Sequence, residues 1–170
     1  MCRQALYQYF NDYISLKHVI QEVKSLKNGG TLAVMMGNHA LKRGYKATIY
    51  TYNLHVFDPT WFNLSPAKMV VNLKRQMRYK AKRRKLQVAS RSYIEFLEAG
   101  GNILYQELDD VLIKSYLKKS IPILTGLSAT HLYGTEREIS ATDTFDSIKG
   151  EPSGHFAIIN GYDAASHDVY

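Results

Sequence analysis

Two residues of this chain are of the types that together perform nucleophilic catalysis, although they stand near its opposite ends. Cys2 is the single cysteine of the 170 residues, and His155 follows 153 positions later, at the start of an apolar run. A thiol becomes a nucleophile near neutral pH when a helix N-terminus and a neighbouring imidazolium lower its pKa. We therefore consider Cys2 as a nucleophile and His155 as its general base. The alternatives are an inert buried thiol and a ring that caps a core strand.

The stretch around His155 has the pattern of a buried strand with one polar group at its start. It runs G-H-F-A-I-I-N-G-Y-D from Gly154 to Asp163, and Gly161-Tyr162-Asp163 ends the apolar run. Catalytic histidines of this type are usually oriented by an Asp or Asn. Asp163 is a weak candidate for that role, because its place in a turn is more typical of a turn former.

The elements that must position these residues follow from periodicity and from capping signals. Leu6, Tyr9, Phe10 and Tyr13 define an amphipathic helix with Cys2 in its first turn. The other predicted helices are 15–26 with Ser15 as cap, 32–43, 66–86, a short one around 93–97, and 109–119. The predicted strands are 45–52, 121–127, 130–133, the His155 strand, and its partner starting at 168, with a long connection over 134–153.

The order of these elements predicts the fold class. Helices come first and strands later, which favours an α+β fold over alternating βαβ units, with N-terminal helices packed on a C-terminal antiparallel sheet. The length fits one compact domain over residues 1–170.

The net charge of +7 comes from one segment, Lys74 to Lys85, which we call the basic patch. It carries eight cations and no acid, and the remaining chain has 14 basic and 15 acidic residues. The patch has one interleaved aromatic residue, Tyr79, and no recognised nucleic-acid motif. We expect a solvated helix face or an acidic partner there, and we do not expect nucleic acid.

Other classes of site and location are disfavoured by the sequence. One cysteine excludes an internal disulfide and a multi-thiolate zinc site. The remaining histidines lack metal-binding spacing and are expected to be structural or surface groups: His18, His39, His55, His131 and His167. We therefore expect no metal and no cofactor. With no membrane-length apolar run and no secretory pattern at the start, we expect a cytoplasmic protein.

Most of the chain resembles a known family, the papain-fold cysteine peptidases of family thirty-nine, which cleave double-glycine leader peptides. The resemblance is strongest in S-I-P-I-L-T-G-L-S-A-T-H-L-Y and G-E-P-S-G-H-F-A-I-I-N-G-Y-D. G-G-T-L-A and L-K-R-G-Y-K-A-T-I-Y-T resemble the family's third helix and first strand. Within this family, the sequence resembles the free-standing bacterial members and not the domains that are fused to exporters.

This resemblance implies a papain-like fold, a peptide or protein substrate, Cys2 as nucleophile and His155 as base. Leu127, Ser128 and Gly154 would lie in the substrate cleft. Arg3-Gln4 follow the cysteine where the family has Gly-Pro, and the family's oxyanion glutamine and Asp-Pro segment have no counterpart in the sequence. We therefore expect a fragment that is truncated at both ends. The alternative function is a degenerate domain of the same fold that binds peptides without cutting them.

Overall fold

The computed structural model describes residues 2–23, 26, 30–139, 142–166 and 168–170, with the backbone alone for residues 2 and 3. These residues form a mixed α+β protein, as the sequence predicts. The chain divides into two compact units. The terminal unit comprises Met1–Ile14 and Asp109–Tyr170, and the central unit comprises Ser15–Leu108.

The terminal unit combines helices with antiparallel strand pairs. Its helices are α1 (Cys2–Tyr9), α6 (Asp110–Leu117) and α7 (Ala129–Tyr133). Its strands are β3 (Ile123–Ser128), β4 (Glu138–Ile139), β5 (Thr144–Phe145), β6 (Gly154–Ile159), β7 (Tyr162–Asp163) and β8 (Asp168–Val169). They form three antiparallel pairs, β3–β6, β4–β5 and β7–β8.

The β3–β6 pair carries His155, and three helices contact it: α1, α6 and α7. β6 matches the predicted strand, and its neighbour is the predicted strand over 121–127, as expected. Helix α1 packs against β6 and helix α6 packs against β3. Asp109 caps α6 as predicted, because its Oδ1 accepts the backbone N–H of Leu112 at 2.7 Å.

Three predictions for the terminal unit are wrong in detail. The strand expected over 130–133 is helix α7, because Ser128 caps it and Gly134, with a φ of 59°, ends it. Asp168 begins a strand that pairs with β7, whereas we expected it to pair with the His155 strand. Helix α1 ends before the predicted residue 13, since Asn11 takes a left-handed conformation with a φ of 59°.

The central unit is built mainly of helices. Its helices are α2 (Leu16–Glu22), α3 (Ala33–Lys42), α4 (Pro66–Tyr79) and α5 (Arg84–Glu98), with a 3-10 turn over Pro59–Asn63. Its strands, β1 (Thr48–Tyr50) and β2 (Asn102–Leu104), pair in parallel. Val34, Leu73 and Phe96 are fully buried in its core, and the Phe57 and Tyr93 rings stack edge to face at 4.7 Å.

The basic patch lies on two helices, where we predicted one. Apolar residues recur every four positions from Met69 to Ala81, which predicts one continuous helix. The chain instead turns at residues 80–83, and α5 folds back along α4. This turn lets Leu86 and Ala89 join the same buried cluster as Met69 and Leu73, which one straight helix cannot do. Strand β2 was not predicted, because three residues that follow Gly100-Gly101 are too few to show an alternation of apolar and polar side chains.

Candidate active site

His155 is the second residue of β6, and its side chain is exposed. Its Nδ1 lies 3.1 Å from the carbonyl oxygen of Gly154. A carbonyl oxygen only accepts, so this hydrogen bond requires a proton on Nδ1, and in the neutral ring Nε2 then carries the lone pair. Nε2 has no hydrogen-bond partner among the described residues. In the neutral ring this hydrogen bond favours the tautomer whose Nε2 can accept a proton.

The three predicted cleft residues lie beside His155. In the β3–β6 ladder, Leu127 stands opposite His155 and Ser128 stands opposite Gly154. Directly opposed residues of an antiparallel pair project to the same face, so Leu127 and His155 share one face of the ladder. Leu127 is partly exposed and offers an apolar surface next to the imidazole.

Ser128 does not have the environment of a nucleophile. Its Oγ accepts the backbone N–H of His131 at 3.3 Å and so caps α7. No histidine ring is within hydrogen-bond distance of its hydroxyl among the residues that the structure describes. Its role at this end of the ladder is to hold the helix that follows.

The backbone just before β6 is fixed to helix α7. The N–H of Ser153 donates to Oγ1 of Thr130 at 3.0 Å, and its carbonyl accepts the N–H of Ala129 at 2.9 Å. These two bonds engage the peptide groups on both sides of Ser153, just before the strand begins. They fix the backbone of Gly154 and therefore the carbonyl that orients His155.

Cys2 is the first residue of α1, the helix that packs against β6. Its side chain lies outside the described part of the structure, so the Cys2-to-His155 distance is not defined. The structure places the helix that begins with Cys2 and the strand that carries His155 in one unit, in direct contact.

Asp163 forms a turn within its own hairpin. Its Oδ1 accepts the N–H groups of Ala165 at 2.7 Å and Ser166 at 3.3 Å, between strands β7 and β8. The structure shows no hydrogen bond between this carboxylate and His155. No hydrogen bond therefore connects Asp163 to the imidazole that it was predicted to orient.

His39 lies in a buried polar cluster that the sequence analysis did not identify. It is 5% exposed, and its Nε2 is 2.9 Å from Oε2 of Glu22. The pKa of Glu22 is lowered, chiefly by this hydrogen bond. The neighbouring Asn38 donates from Nδ2 to the Ser92 carbonyl at 2.9 Å. The adjacent Asn-His pair inside the apolar segment V-M-M-G-N-H-A is the signal that could have found this cluster.

The cluster borders a cavity of about 20 Å³, room for about one water molecule. Such a volume admits no peptide or nucleotide, so we assign the cluster to structure. The other described histidines, His18, His55 and His131, are exposed, and His167 lies outside the described residues. Over the described ranges, no group of three His, Cys, Asp or Glu side chains could hold a metal ion.

The basic patch is exposed over all eight of its cations. Lys74 pairs with Glu98 at 2.9 Å, and Lys80 donates to Oε1 of Gln76 at 2.8 Å. The other six make no side-chain hydrogen bond or ion pair to any residue that the structure describes: Arg75, Arg78, Lys82, Arg83, Arg84 and Lys85.

Comparison of the chain with protein-family models, with curated proteins and with solved structures finds no match. In the part of the chain that the structure describes, no helix is long and apolar enough to cross a membrane.

Proposed function

We propose that this protein is a cysteine peptidase-like hydrolase with a papain-like fold, in which Cys2 is the nucleophile and His155 the general base. The observation that supports it most directly is the packing of α1, which begins at Cys2, against β6, which carries His155. A helix-borne cysteine facing a strand-borne histidine is the general arrangement of a thiol nucleophile and its base.

The reaction is acyl transfer from a peptide or amide. Nε2 of His155 takes the proton of the Cys2 thiol, and the thiolate attacks the carbonyl carbon of the substrate. The tetrahedral intermediate expels the amine, which receives the proton from His155, and a thioester remains on Cys2. A water molecule, deprotonated by His155, then attacks the thioester and releases the acid and the free thiol. No cofactor takes part in these steps.

Two features at the strand start support the role of His155. The Gly154 carbonyl holds the proton on Nδ1, so the nitrogen that accepts the thiol proton is Nε2. Leu127, directly across the ladder, gives the apolar contact that a substrate side chain would bury. The papain-like topology and the membership of family thirty-nine are part of this proposal.

The second candidate is a domain of the same fold that binds peptides without cutting them. The observation that favours it is Asp163, whose Oδ1 is engaged by the backbone of its own turn. Without a carboxylate or amide on the imidazole, the imidazolium that forms during thiol deprotonation is less stabilised, and the rate falls.

The reactivity of Cys2 distinguishes the two candidates. As the single cysteine, it is labelled without ambiguity. In the active protein, iodoacetamide alkylates Cys2 more than about tenfold faster than N-acetylcysteine at about pH 6 to 7, because the thiolate is already formed. His155→Ala removes this excess, whereas His131→Ala, an exposed histidine of the same unit, leaves it unchanged. A wild-type rate equal to that of N-acetylcysteine would contradict the hydrolase and favour the binding domain.

A further inference from the structure

The basic patch is a rigid surface, although every one of its cations is exposed. Nε2 of Gln87 in α5 donates to the carbonyls of Met77 at 2.9 Å and Lys80 at 3.2 Å, closing the turn between the helices. Gln76 in α4 donates from Nε2 to the Val56 carbonyl at 2.8 Å. The cations therefore project from a backbone that is fixed before any partner arrives, which lowers the entropy cost of binding.

Several charges of the patch oppose the stability of the helices that carry them, although Arg78 lies in the last turn of α4, where the helix dipole favours a cation. Arg78 follows Lys74 by four residues and Arg75 by three on α4, spacings at which like charges repel. Arg84 and Lys85 occupy the first turn of α5, where the helix dipole disfavours positive charge, and Arg83 provides no side-chain cap. Apart from the Lys74–Glu98 pair and the Lys80–Gln76 hydrogen bond, no side chain among the described residues compensates these charges, so an anionic partner is the natural source of compensation.

From these observations we propose that the basic patch docks a flexible, carboxylate-rich segment of another protein. Four of the eight cations are arginines, whose planar guanidinium groups bind carboxylates through two parallel hydrogen bonds. We infer a flexible segment because the patch lies on the exposed faces of two packed helices and has no apolar centre. An interface with a folded protein normally has such a centre, and lysine is depleted there.

Other anionic partners fit the surface less well. Tyr79, 87% exposed, is the one aromatic side chain of the patch, so single-stranded nucleic acid has no stacking platform. The apolar side of α4 is buried against α5, so the helix has no face to insert into a membrane.

The proposal is tested by fluorescence anisotropy with labelled oligoglutamate of about twelve residues, a length comparable to the patch when extended. Oligoglutamine serves as the uncharged probe, and duplex DNA and phosphatidylserine vesicles serve as competing anions. We expect saturable oligoglutamate binding that weakens with salt, and no binding of oligoglutamine. A quadruple variant removes charges within the patch: Arg75→Gln, Arg78→Gln, Arg83→Gln and Arg84→Gln.

A matched variant removes four exposed lysines elsewhere: Lys17→Gln, Lys46→Gln, Lys119→Gln and Lys149→Gln. The patch variant should lose more than about tenfold in affinity and the matched variant less than about twofold. The patch variant should also melt at the same temperature as wild type or higher, which separates lost binding from misfolding. Absence of binding, equal losses in the two variants, or tighter binding of DNA or vesicles than of oligoglutamate at equal salt would each overturn the proposal. The readout is independent of Cys2 and His155.

Discussion

The carboxylate Oδ1 of Asp163 accepts the backbone N–H of Ala165 at 2.7 Å, so this side chain closes the turn that joins β7 to β8. If that is its role, Asp163→Asn keeps the acceptor and leaves the free energy of unfolding unchanged. Asp163→Ala removes it and costs about 1 kcal/mol, the net value of one hydrogen bond. Urea unfolding monitored by circular dichroism measures both. A loss of Cys2 alkylation rate in Asp163→Asn, at unchanged stability, would instead assign Asp163 to the active site.

Phe96 is fully buried and packs against two glycines, Gly37 of α3 and Gly101 before β2. A Cβ at Gly37 would lie 2.7 Å from Cε2 of Phe96, and a Cβ at Gly101 would overlap the opposite edge of the same ring. We expect Gly101→Ala to destabilise the protein by about 1–3 kcal/mol, because the ring cannot move without overpacking the core. The measurement is the urea concentration at the midpoint of unfolding, which should fall while the dependence of the unfolding free energy on urea concentration stays the same.

The matched control for this prediction is Gly126→Ala in β3. A Cβ there would lie 3.6 Å from Cε1 of Phe156, an ordinary contact distance. This substitution should cost less than about 0.5 kcal/mol. Similar losses in Gly101→Ala and Gly126→Ala would show that the cost comes from the backbone and not from the Phe96 ring.

The sequence predicts those parts of the fold that local chemistry determines. The Asp109 and Ser15 caps and the apolar strands of the β3–β6 pair carry their own signals, and all four elements form, although α2 ends at Glu22, before the predicted residue 26. Helix α7 also had a local signal, a serine cap at Ser128 and a glycine at position 134, which the β-branched Thr130 obscured.

The break between α4 and α5 had no local signal. Residues 80–83 contain neither glycine nor proline, and the turn forms because Leu86 and Ala89 can then bury against α4. Strand β2 likewise depends on its pairing with β1, some fifty residues earlier in the chain. In the candidate site, the sequence identifies His155 and its strand neighbours, but the Gly154 carbonyl as the partner of Nδ1 is a feature of backbone geometry alone.

The cap of α6 provides a further prediction for the terminal unit. Asp109 accepts the N–H of Leu112, and α6 packs against β3, the strand beside His155. Asp109→Ala should lower the free energy of unfolding by about 1 kcal/mol, whereas Asp109→Asn, which caps equally well, should change it little. Thermal unfolding of the two variants side by side provides the test. Equal destabilisation by alanine and asparagine would point to the charge at the helix N-terminus and not to the capping bond.

The Glu22–His39 pair predicts a pH-dependent stability. The hydrogen bond from His39 holds the pKa of Glu22 below its ordinary value of 4.5, so ionised Glu22 stabilises the folded state. A lowered carboxyl pKa contributes stability that is fully present above the unfolded value and is lost as pH falls through the folded value. Wild type should therefore melt above Glu22→Gln at about pH 6, and the difference should shrink as the pH falls below about 4.5. Melting curves across this range measure it. The control is Glu107→Gln, because Glu107 is also exposed and makes no hydrogen bond or ion pair with any described residue. A difference that is constant with pH would assign the effect to packing and not to ionisation.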